Sequence, residues 1–296
     1  MNINNKNKIN IAIASGKGGT GKTMLALSLF NSIKNKYDDV ILLDADAEEP
    51  NDLIFFDAKE ISYREITQKV PVIDTNKCTF CGKCRDWCNY NAIFILPKTK
   101  FIRVTEELCH GCGACTVACK FGAITEKDAS LGSVKSFICD GKENLYEAKM
   151  HQGVMTPVNV IKAAKKITKK HKIKIFDSPP GTSCPFIHTV AEVDYVILIT
   201  EPTPFGLSDL KQSISTLESL GKEYGVVVNR AGLGDRAVYD YLLDEDIELL
   251  LEIPFDKEIA KNYSEGKIIA DIMPELALKL ENLFDYLLKN YGNSSN

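Results

Sequence analysis

The stretch Gly16-Lys17-Gly18-Gly19-Thr20-Gly21-Lys22-Thr23 matches the pattern G-x-x-x-x-G-K-[S/T]. An apolar run at 9–14 precedes it and a segment of helical periodicity at 24–33 follows it, which predicts strand, loop and helix in that order. Four glycines allow backbone N–H groups to converge on an anion, and the helix N-terminus adds partial positive charge. We therefore expect a nucleotide-phosphate loop, in which Lys22 reaches the β- and γ-phosphates and the Thr23 hydroxyl binds Mg²⁺.

The composition is that of an ordinary globular protein. The chain has 296 residues, of which 45% are hydrophobic and 26% charged, a length that favours about two domains. A net charge of −4 argues against a nucleic-acid surface, and the apolar runs are far shorter than a membrane span. The first residues do not resemble a signal peptide. We expect a cytoplasmic protein with no nucleic-acid partner and no stable membrane anchor.

Strands and helices alternate along most of the chain. Apolar runs at 40–43, 173–176, 195–200, 226–228 and 249–253 are separated by helical segments, which predicts an α/β fold with a doubly wound, mostly parallel sheet. Ligands of such sheets lie at the carboxyl ends of the strands. Polar residues follow several of these strands, namely Asp44, Asp177, Glu201 and Asn229.

A cysteine-rich segment interrupts this alternation. We predict a nucleotide-binding domain in two parts, 1–70 and 128–296, with an inserted small α+β domain at 71–127. The second part is expected to begin with a small hairpin over 136–146. The last helix is predicted at 275–291, and its apolar stripe leaves an amphipathic membrane contact as an alternative to core packing.

Eight of the ten cysteines form two runs of identical spacing. The runs are Cys78-x-x-Cys81-x-x-Cys84-x-x-x-Cys88 and Cys109-x-x-Cys112-x-x-Cys115-x-x-x-Cys119. This spacing indicates metal rather than disulfides, and it resembles the run of two-cluster bacterial ferredoxins. That resemblance implies one [4Fe-4S] cluster on Cys78, Cys81, Cys84 and Cys119, and a second on Cys109, Cys112, Cys115 and Cys88. Tetrahedral zinc is the alternative. Asn89 and Lys120 stand where the ferredoxin run has proline.

A second lysine in the phosphate loop carries a more specific resemblance. The stretch from Lys17 to Thr23 resembles the deviant phosphate loop of the MinD, ParA, ArsA and nitrogenase iron protein group of ATPases. In that family the extra lysine reaches the nucleotide of a partner subunit. The resemblance implies a nucleotide-sandwich dimer, of this chain with itself or with a related ATPase, in which Lys17 acts in trans.

The same resemblance assigns roles to other residues. Asp44 and Asp46 fall in the segment similar to the family's switch I, and we expect Asp46 to orient the attacking water. Asp177 matches the Walker B aspartate that holds Mg²⁺. Asn229 and Pro254 match positions that contact adenine.

The whole chain therefore resembles MinD-superfamily ATPases that carry an inserted ferredoxin domain. The resemblance implies ATP or ADP, Mg²⁺ and two [4Fe-4S] clusters as cofactors, slow ATP hydrolysis, and an acceptor or redox protein as partner. Three functions follow: assembly or delivery of iron-sulfur or related metal clusters, ATP-gated electron transfer to a partner enzyme, and spatial organisation with structural or sensing clusters. Cys184 has the spacing from Asp177 of a cluster-ligating cysteine in the nitrogenase iron protein, whereas a buried or redox-silent thiol is the alternative for it and for Cys139.

Overall fold

The computed structural model describes residues 8–293. The strands are β1 (Ile9–Ala14), β2 (Val40–Asp44), β3 (Lys59–Ile73), β4 (Ile93–Leu96), β5 (Phe101–Val104), β6 (Ile124–Cys139), β7 (Lys142–Met150), β8 (Ile173–Asp177), β9 (Tyr195–Thr200), β10 (Tyr224–Ala231) and β11 (Leu249–Pro254). The helices are α1 (Lys22–Ile33), α2 (Lys83–Asp86), α3 (Ala114–Ala118), α4 (Val158–Ile167), α5 (Cys184–Val190), α6 (Pro204–Ser219), α7 (Ala237–Asp244), α8 (Lys257–Ser264), α9 (Ile269–Ile272) and α10 (Pro274–Tyr291).

A nine-stranded sheet organises the part of the chain that the structure describes. Its order is β11-β10-β9-β1-β8-β2-β7-β6-β3. Neighbouring strands from β11 to β7 run parallel, whereas β6 is antiparallel to both β7 and β3. Each predicted strand lies within an observed one. The predicted α/β fold with a doubly wound, mostly parallel sheet is confirmed.

Both faces of the parallel strands are covered by helices. One hydrophobic cluster joins the sheet to α1, α9 and α10. The other joins the opposite face to α4, α5, α6 and α7. The apolar stripe of α10 is buried in the first of these clusters, so its periodicity reflects core packing rather than the alternative membrane contact. No helix in residues 8–293 is long and apolar enough to cross a membrane.

A two-stranded antiparallel arm connects the sheet to the cysteine-rich segment. Its strands, β3 and β6, pair from Lys59 with Ile138 to Ile73 with Ile124, with two register shifts along the way. A register shift leaves Leu131 as the extra residue of a bulge where the arm leaves the sheet. The predicted hairpin corresponds to the end of β6 and to β7, and both strands are longer than expected. The predicted domain boundaries fall inside the arm, and the division into domains stays a prediction.

The segment beyond the arm has a hydrophobic cluster of its own. It contains the buried residues Cys84, Ile93, Cys115 and Ile124, against which Ile73, Ile102, Val104 and Cys119 pack. The short helices α2 and α3 and the β4–β5 hairpin surround it. This cluster is small compared with the two on either side of the main sheet.

Candidate nucleotide and metal-cluster sites

The glycine-rich loop connects the end of β1 to the first residue of α1. Gly19 and Gly21 have φ angles of 78° and 99°, in the left-handed region that favours glycine. A Cβ added at Gly21 would lie 2.5 Å from the Asn229 amide nitrogen, whereas one at Gly18 or Gly19 would meet nothing within 4 Å. The loop is therefore packed against β10 on one side and open on the other, as an anion cradle requires.

A cavity of about 440 Å³ opens beside this loop. Its volume lies in the range of small-molecule sites. Lys22, Thr23 and Asp46 contribute polar groups, and Pro254 and Tyr263 contribute apolar surface. The other lining residues are Gly18, Gly19, Gly21, Met24, Glu49, Asn51, Pro180, Asn229, Arg230, Phe255, Asp256, Ile259 and Ala260. The combination of an anion cradle with apolar walls suits a nucleotide.

Three buried carboxylates lie next to the first residues of α1. Oxygens of Asp44, Asp52 and Asp177 all lie within 4.8 Å of one another. The Thr23 hydroxyl donates a hydrogen bond of 2.5 Å to Asp177 Oδ2. Asp177 Oδ1 and both carboxylate oxygens of Asp52 are buried without a hydrogen-bond partner among the described residues. Because Mg²⁺ prefers oxygen ligands, Thr23 and these carboxylates fit a magnesium ion.

Burial dominates the electrostatics of this group. It raises the pKa of Asp177 to about 6, against the opposing effect of Lys22. Burial, with the charges of neighbouring aspartates, raises the pKa values of Asp44 and Asp52 well above their usual range. Burial also raises the pKa of Asp46, and Lys22 opposes this. Buried carboxylates this close together repel one another when ionised. Either some of them are protonated, or a bound cation neutralises their charge.

The second lysine of the loop, Lys17, is not among the residues that line the cavity. Lys17 Nζ lies 3.9 Å from Glu201, which also forms a 2.8 Å ion pair with Arg230. The Lys17 side chain is 35% exposed. Its amine is therefore accessible and lies outside the cavity of its own chain.

The predicted adenine contacts lie at the same cavity. Asn229 donates its side-chain amide to the Thr20 carbonyl at 2.8 Å, and its Oδ1 accepts from the backbone N–H of Arg230. The amide thus holds the phosphate loop in place. Contact of Asn229 and Pro254 with adenine stays a prediction.

The eight cysteines of the two runs line two separate cavities. Cys78, Cys81, Cys84 and Cys119 line one of them, and Cys88, Cys109, Cys112 and Cys115 line the other. The fourth cysteine of each run therefore lies at the cavity of the other run. This is the grouping that the ferredoxin resemblance implies, and ligation of the clusters stays a prediction.

The chemistry of each cavity suits an iron-sulfur cluster. None of the eight cysteines forms a disulfide. The backbone N–H groups of Phe80, Ala92 and Gly111 donate to the sulfurs of Cys78, Cys88 and Cys109 at 3.3–3.4 Å. Apolar residues complete both linings, including Ile95 and Ile102 in the first cavity. N–H···S bonds and apolar cover are the features that tune such clusters.

Tetrahedral zinc on these cysteines remains the alternative to the iron-sulfur clusters.

Several residues of these sites were missed by the motif analysis. Asp52 opens a 3-10 turn after the switch-like segment, and its backbone N–H donates to Asp44 Oδ2, which draws its carboxylate into the buried group. Tyr263 on α8 stacks on Phe55 at 4.8 Å and lines the nucleotide cavity. The acidic character of 44–52 was a usable signal for Asp52, but Tyr263 has none in the sequence.

The two remaining cysteines lie outside the cysteine-rich insert, in the part of the chain that carries the parallel strands, which we call the nucleotide-binding half. Cys139 is buried in the core beside α1, and Cys184 is exposed at the start of α5. Neither lines one of the two cysteine cavities.

Known proteins are similar to this chain in sequence or in fold. An uncharacterized protein of Methanocaldococcus jannaschii is 32% identical over 288 residues, covering 94% of each chain. An uncharacterized ATP-binding protein of that organism is 26% identical, covering 93% of this chain and 96% of the relative. An uncharacterized ferredoxin of the same organism matches locally, at 33% identity over 76 residues, which is 25% of this chain and 40% of the ferredoxin.

The fold is that of a solved MinD structure. The septum site-determining protein MinD of Pyrococcus horikoshii, solved with Mg-ADP, superimposes with a TM-score of 0.56 at 20% identity, covering 94% of this chain and 96% of MinD. The CobQ/CobB/MinD/ParA nucleotide binding domain matches residues 11–269. Because that match spans most of the sequence, this chain belongs to the CobQ/CobB/MinD/ParA family of nucleotide-binding domains.

Proposed function

We propose that this protein is an ATPase that couples nucleotide-dependent dimer switching to the assembly or delivery of iron-sulfur or related metal clusters. Hydrolysis is slow and is stimulated by the partner. In this proposal ATP occupies the cavity beside the glycine-rich loop, with Mg²⁺ on Thr23 and Asp177. The name of the ATP-binding relative supports the choice of nucleotide.

The observation that carries cluster delivery is the uneven exposure of the cysteines. In each cavity one cysteine is exposed, Cys81 in the first and Cys112 in the second, and one is buried, Cys84 and Cys115 respectively. Transfer of a cluster between proteins proceeds by ligand exchange, so an acceptor thiolate needs access to at least one ligated iron. Cys81 and Cys112 supply that access.

The nucleotide chemistry rests on three charged residues. Lys22 neutralises the β- and γ-phosphates, and Mg²⁺ held by Thr23 and Asp177 would supply further positive charge to the phosphates. Asp46 lines the cavity beside Lys22 and orients the attacking water. Lys17, exposed and outside the cavity of its own chain, serves the nucleotide of the partner subunit in a sandwich dimer.

Electron transfer is the second candidate, and the packing of the insert favours it. Cys84 and Cys115, one from each cavity, belong to the same small hydrophobic cluster. Because these two cysteines pack in one hydrophobic cluster, the two iron-sulfur clusters would be neighbours and would exchange electrons readily. In this candidate ATP gates passage of electrons to a partner enzyme while all iron stays in place.

Iron tracing separates the two candidates. The full chain is purified without oxygen and should contain about eight irons, as two cubane clusters require. It is then labelled with ⁵⁷Fe and mixed with a cluster-free ferredoxin as acceptor, with ATP or with ADP. ATP-dependent appearance of ⁵⁷Fe in the acceptor, lost in Lys17→Ala, supports delivery.

Two other results would contradict cluster delivery or both candidates. Delivery is overturned if all ⁵⁷Fe remains with the chain while a one-electron acceptor dye takes electrons from the chemically pre-reduced clusters only in the presence of ATP, which supports electron transfer. Iron well below eight per chain, or zinc in its place, would contradict both candidates.

A further inference from the structure

The second cysteine cavity is tied to the nucleotide-binding half by two side-chain amides. Gln68 on β3 donates from Nε2 to the Cys109 carbonyl at 2.7 Å. Asn159 on α4 donates from Nδ2 to Gln68 Oε1 at 3.2 Å. We propose that Gln68 and Asn159 are positioning residues through which the nucleotide state acts on the second cluster. This proposal rests on the function proposed above.

The link continues from Asn159 towards the nucleotide. Its helix, α4, packs against α5, and Lys165 on α4 donates to the carbonyls of His188 and Thr189 at 2.8 and 3.2 Å. Helix α5 follows directly after 178–183, the segment that begins next to Asp177. Gly181 in this segment donates its N–H to the Ser15 carbonyl at the phosphate loop.

These contacts form a continuous path of packed elements from the phosphate loop to Cys109. In this proposal the segment 178–183, which follows Asp177, changes position with the γ-phosphate. Coupling requires an element of this kind with two arrangements, one for each nucleotide state.

The close approach of the second loop to the arm is a separate observation. Gly111, two residues after Cys109, has a φ of 65°, and a Cβ there would lie 3.1 Å from the Lys69 carbonyl. Phe80 is the corresponding residue after Cys78, with a φ of 54°. Both loops therefore have the same backbone turn, but only the second needs glycine, because it lies against β3.

The loop that carries Cys78, at the first cavity, is hydrogen-bonded to residues of the insert itself. The Cys78 N–H donates to the Asp74 carbonyl, and the Asp74 N–H donates to the Ala123 carbonyl. A displacement of α4 therefore reaches Cys109 through Gln68, whereas Cys78 follows the insert. Since Gly111 donates its N–H to the Cys109 sulfur, moving this loop alters an N–H···S bond that tunes the cluster.

The test compares nucleotide responses of the reduced clusters in the iron-loaded full chain. Electron paramagnetic resonance and redox titration are recorded with ADP and with a non-hydrolysable ATP analogue. We expect the wild type to shift the spectrum and midpoint potential of one cluster between the two nucleotides. Gln68→Leu and Asn159→Leu should abolish that shift while leaving nucleotide affinity within about twofold.

Control variants keep the outcome unambiguous. Thr67→Val changes the neighbouring residue on β3, whose hydroxyl contacts Asp128 at 3.4 Å, and should keep the shift. If Gln68→Leu loses iron, the response of Asn159→Leu tests the proposal instead, because this variant keeps the hydrogen bond between Gln68 and the Cys109 carbonyl.

Two results would overturn the inference. One is a wild-type shift that persists in both amide variants, and the other is a wild type with two clusters and no nucleotide response. Both leave cluster binding standing. A wild type without two clusters instead removes the proposed function.

Discussion

The nucleotide-binding half and the cysteine insert are stabilised in different ways. In the nucleotide-binding half, strands buried on both faces carry the site at their ends, between two large hydrophobic clusters. In the insert the hydrophobic cluster has four buried members, and two of them, Cys84 and Cys115, are expected cluster ligands. A core of this size rarely supports a fold without metals or disulfides. The nucleotide site is therefore built by the fold, whereas the insert depends on what its cysteines bind.

Iron removal tests this difference most strongly. Structural metal sites supply on the order of 10 kcal/mol of folding free energy. Chelation of iron should therefore lower the opening free energy of the insert by at least about 4 kcal/mol, which accelerates amide exchange in β4 and β5 roughly a thousandfold. Exchange in β1 and β8 should stay unchanged. Hydrogen exchange read by mass spectrometry on the full chain checks both halves at once.

Two exchange patterns would contradict this difference between the insert and the nucleotide-binding half. If β4 and β5 keep their protection without iron, the insert folds on its small core alone. If β1 loses protection too, the two halves unfold together and the contrast between them fails.

Removing one charge from the nucleotide site should change binding and leave the fold intact. Lys22 is 7% exposed and lines the cavity. A hydrogen bond to a charged group contributes about 1.5–3 kcal/mol, so Lys22→Ala should weaken ATP binding roughly 10- to 150-fold. Iron content should stay the same. Calorimetric titration with a non-hydrolysable ATP analogue measures the loss.

Lys17→Ala is the matched control. Because Lys17 lies outside the cavity of its own chain, this variant should bind the analogue normally at low protein concentration and lose hydrolysis. A loss of affinity equal to that of Lys22→Ala would place Lys17 in the site of its own chain and contradict the dimer.

The buried carboxylates make cation binding depend on pH. The pKa of Asp177 is about 6, against a usual value of 3.8. Because the folded state holds this proton more tightly, the free energy of unfolding decreases as the pH rises from 3.8 to about 6. Mg²⁺ binds the ionised form, so affinity for Mg²⁺ with the analogue should fall as the pH drops through about 6. Asp46 raises the pKa of Asp177, so Asp46→Asn should move this midpoint to lower pH.

Glu48→Gln provides the comparison, since Glu48 raises the pKa of Asp46 and is not among the main groups that shift the pKa of Asp177. The titration of the nucleotide itself is common to all variants. An unchanged midpoint in Asp46→Asn would show that Asp177 does not control the pH dependence.

Sequence reasoning succeeded where residue type and spacing carry the chemistry. The glycine-rich loop, the parallel strands and the two cysteine runs are local patterns. The exchange of Cys88 and Cys119 between cavities came from the ferredoxin resemblance, because the spacing within one run does not specify a partner in the other.

The arm was missed because its strands lack the usual pattern. Most of β3 is exposed on both faces, so Lys59, Glu60, Arg64 and Glu65 occur where alternation would mark a half-buried strand. The contacts of Gln68 and Asp52 were missed for another reason. They depend on chain segments that only the fold brings together.

The smallest expected effect concerns Cys184, which lies on the nucleotide-binding half and has the spacing of a cluster ligand. It is exposed and outside both cavities, and exposed substitutions usually change stability by less than about 0.5 kcal/mol. Cys184→Ser should therefore leave thermal stability and iron content unchanged, with or without ATP. Iron and sulfide analysis of the ATP-bound protein checks this. A loss of iron only with ATP would mean that the dimer binds a further cluster between its nucleotide-binding halves, and that metal is not confined to the insert.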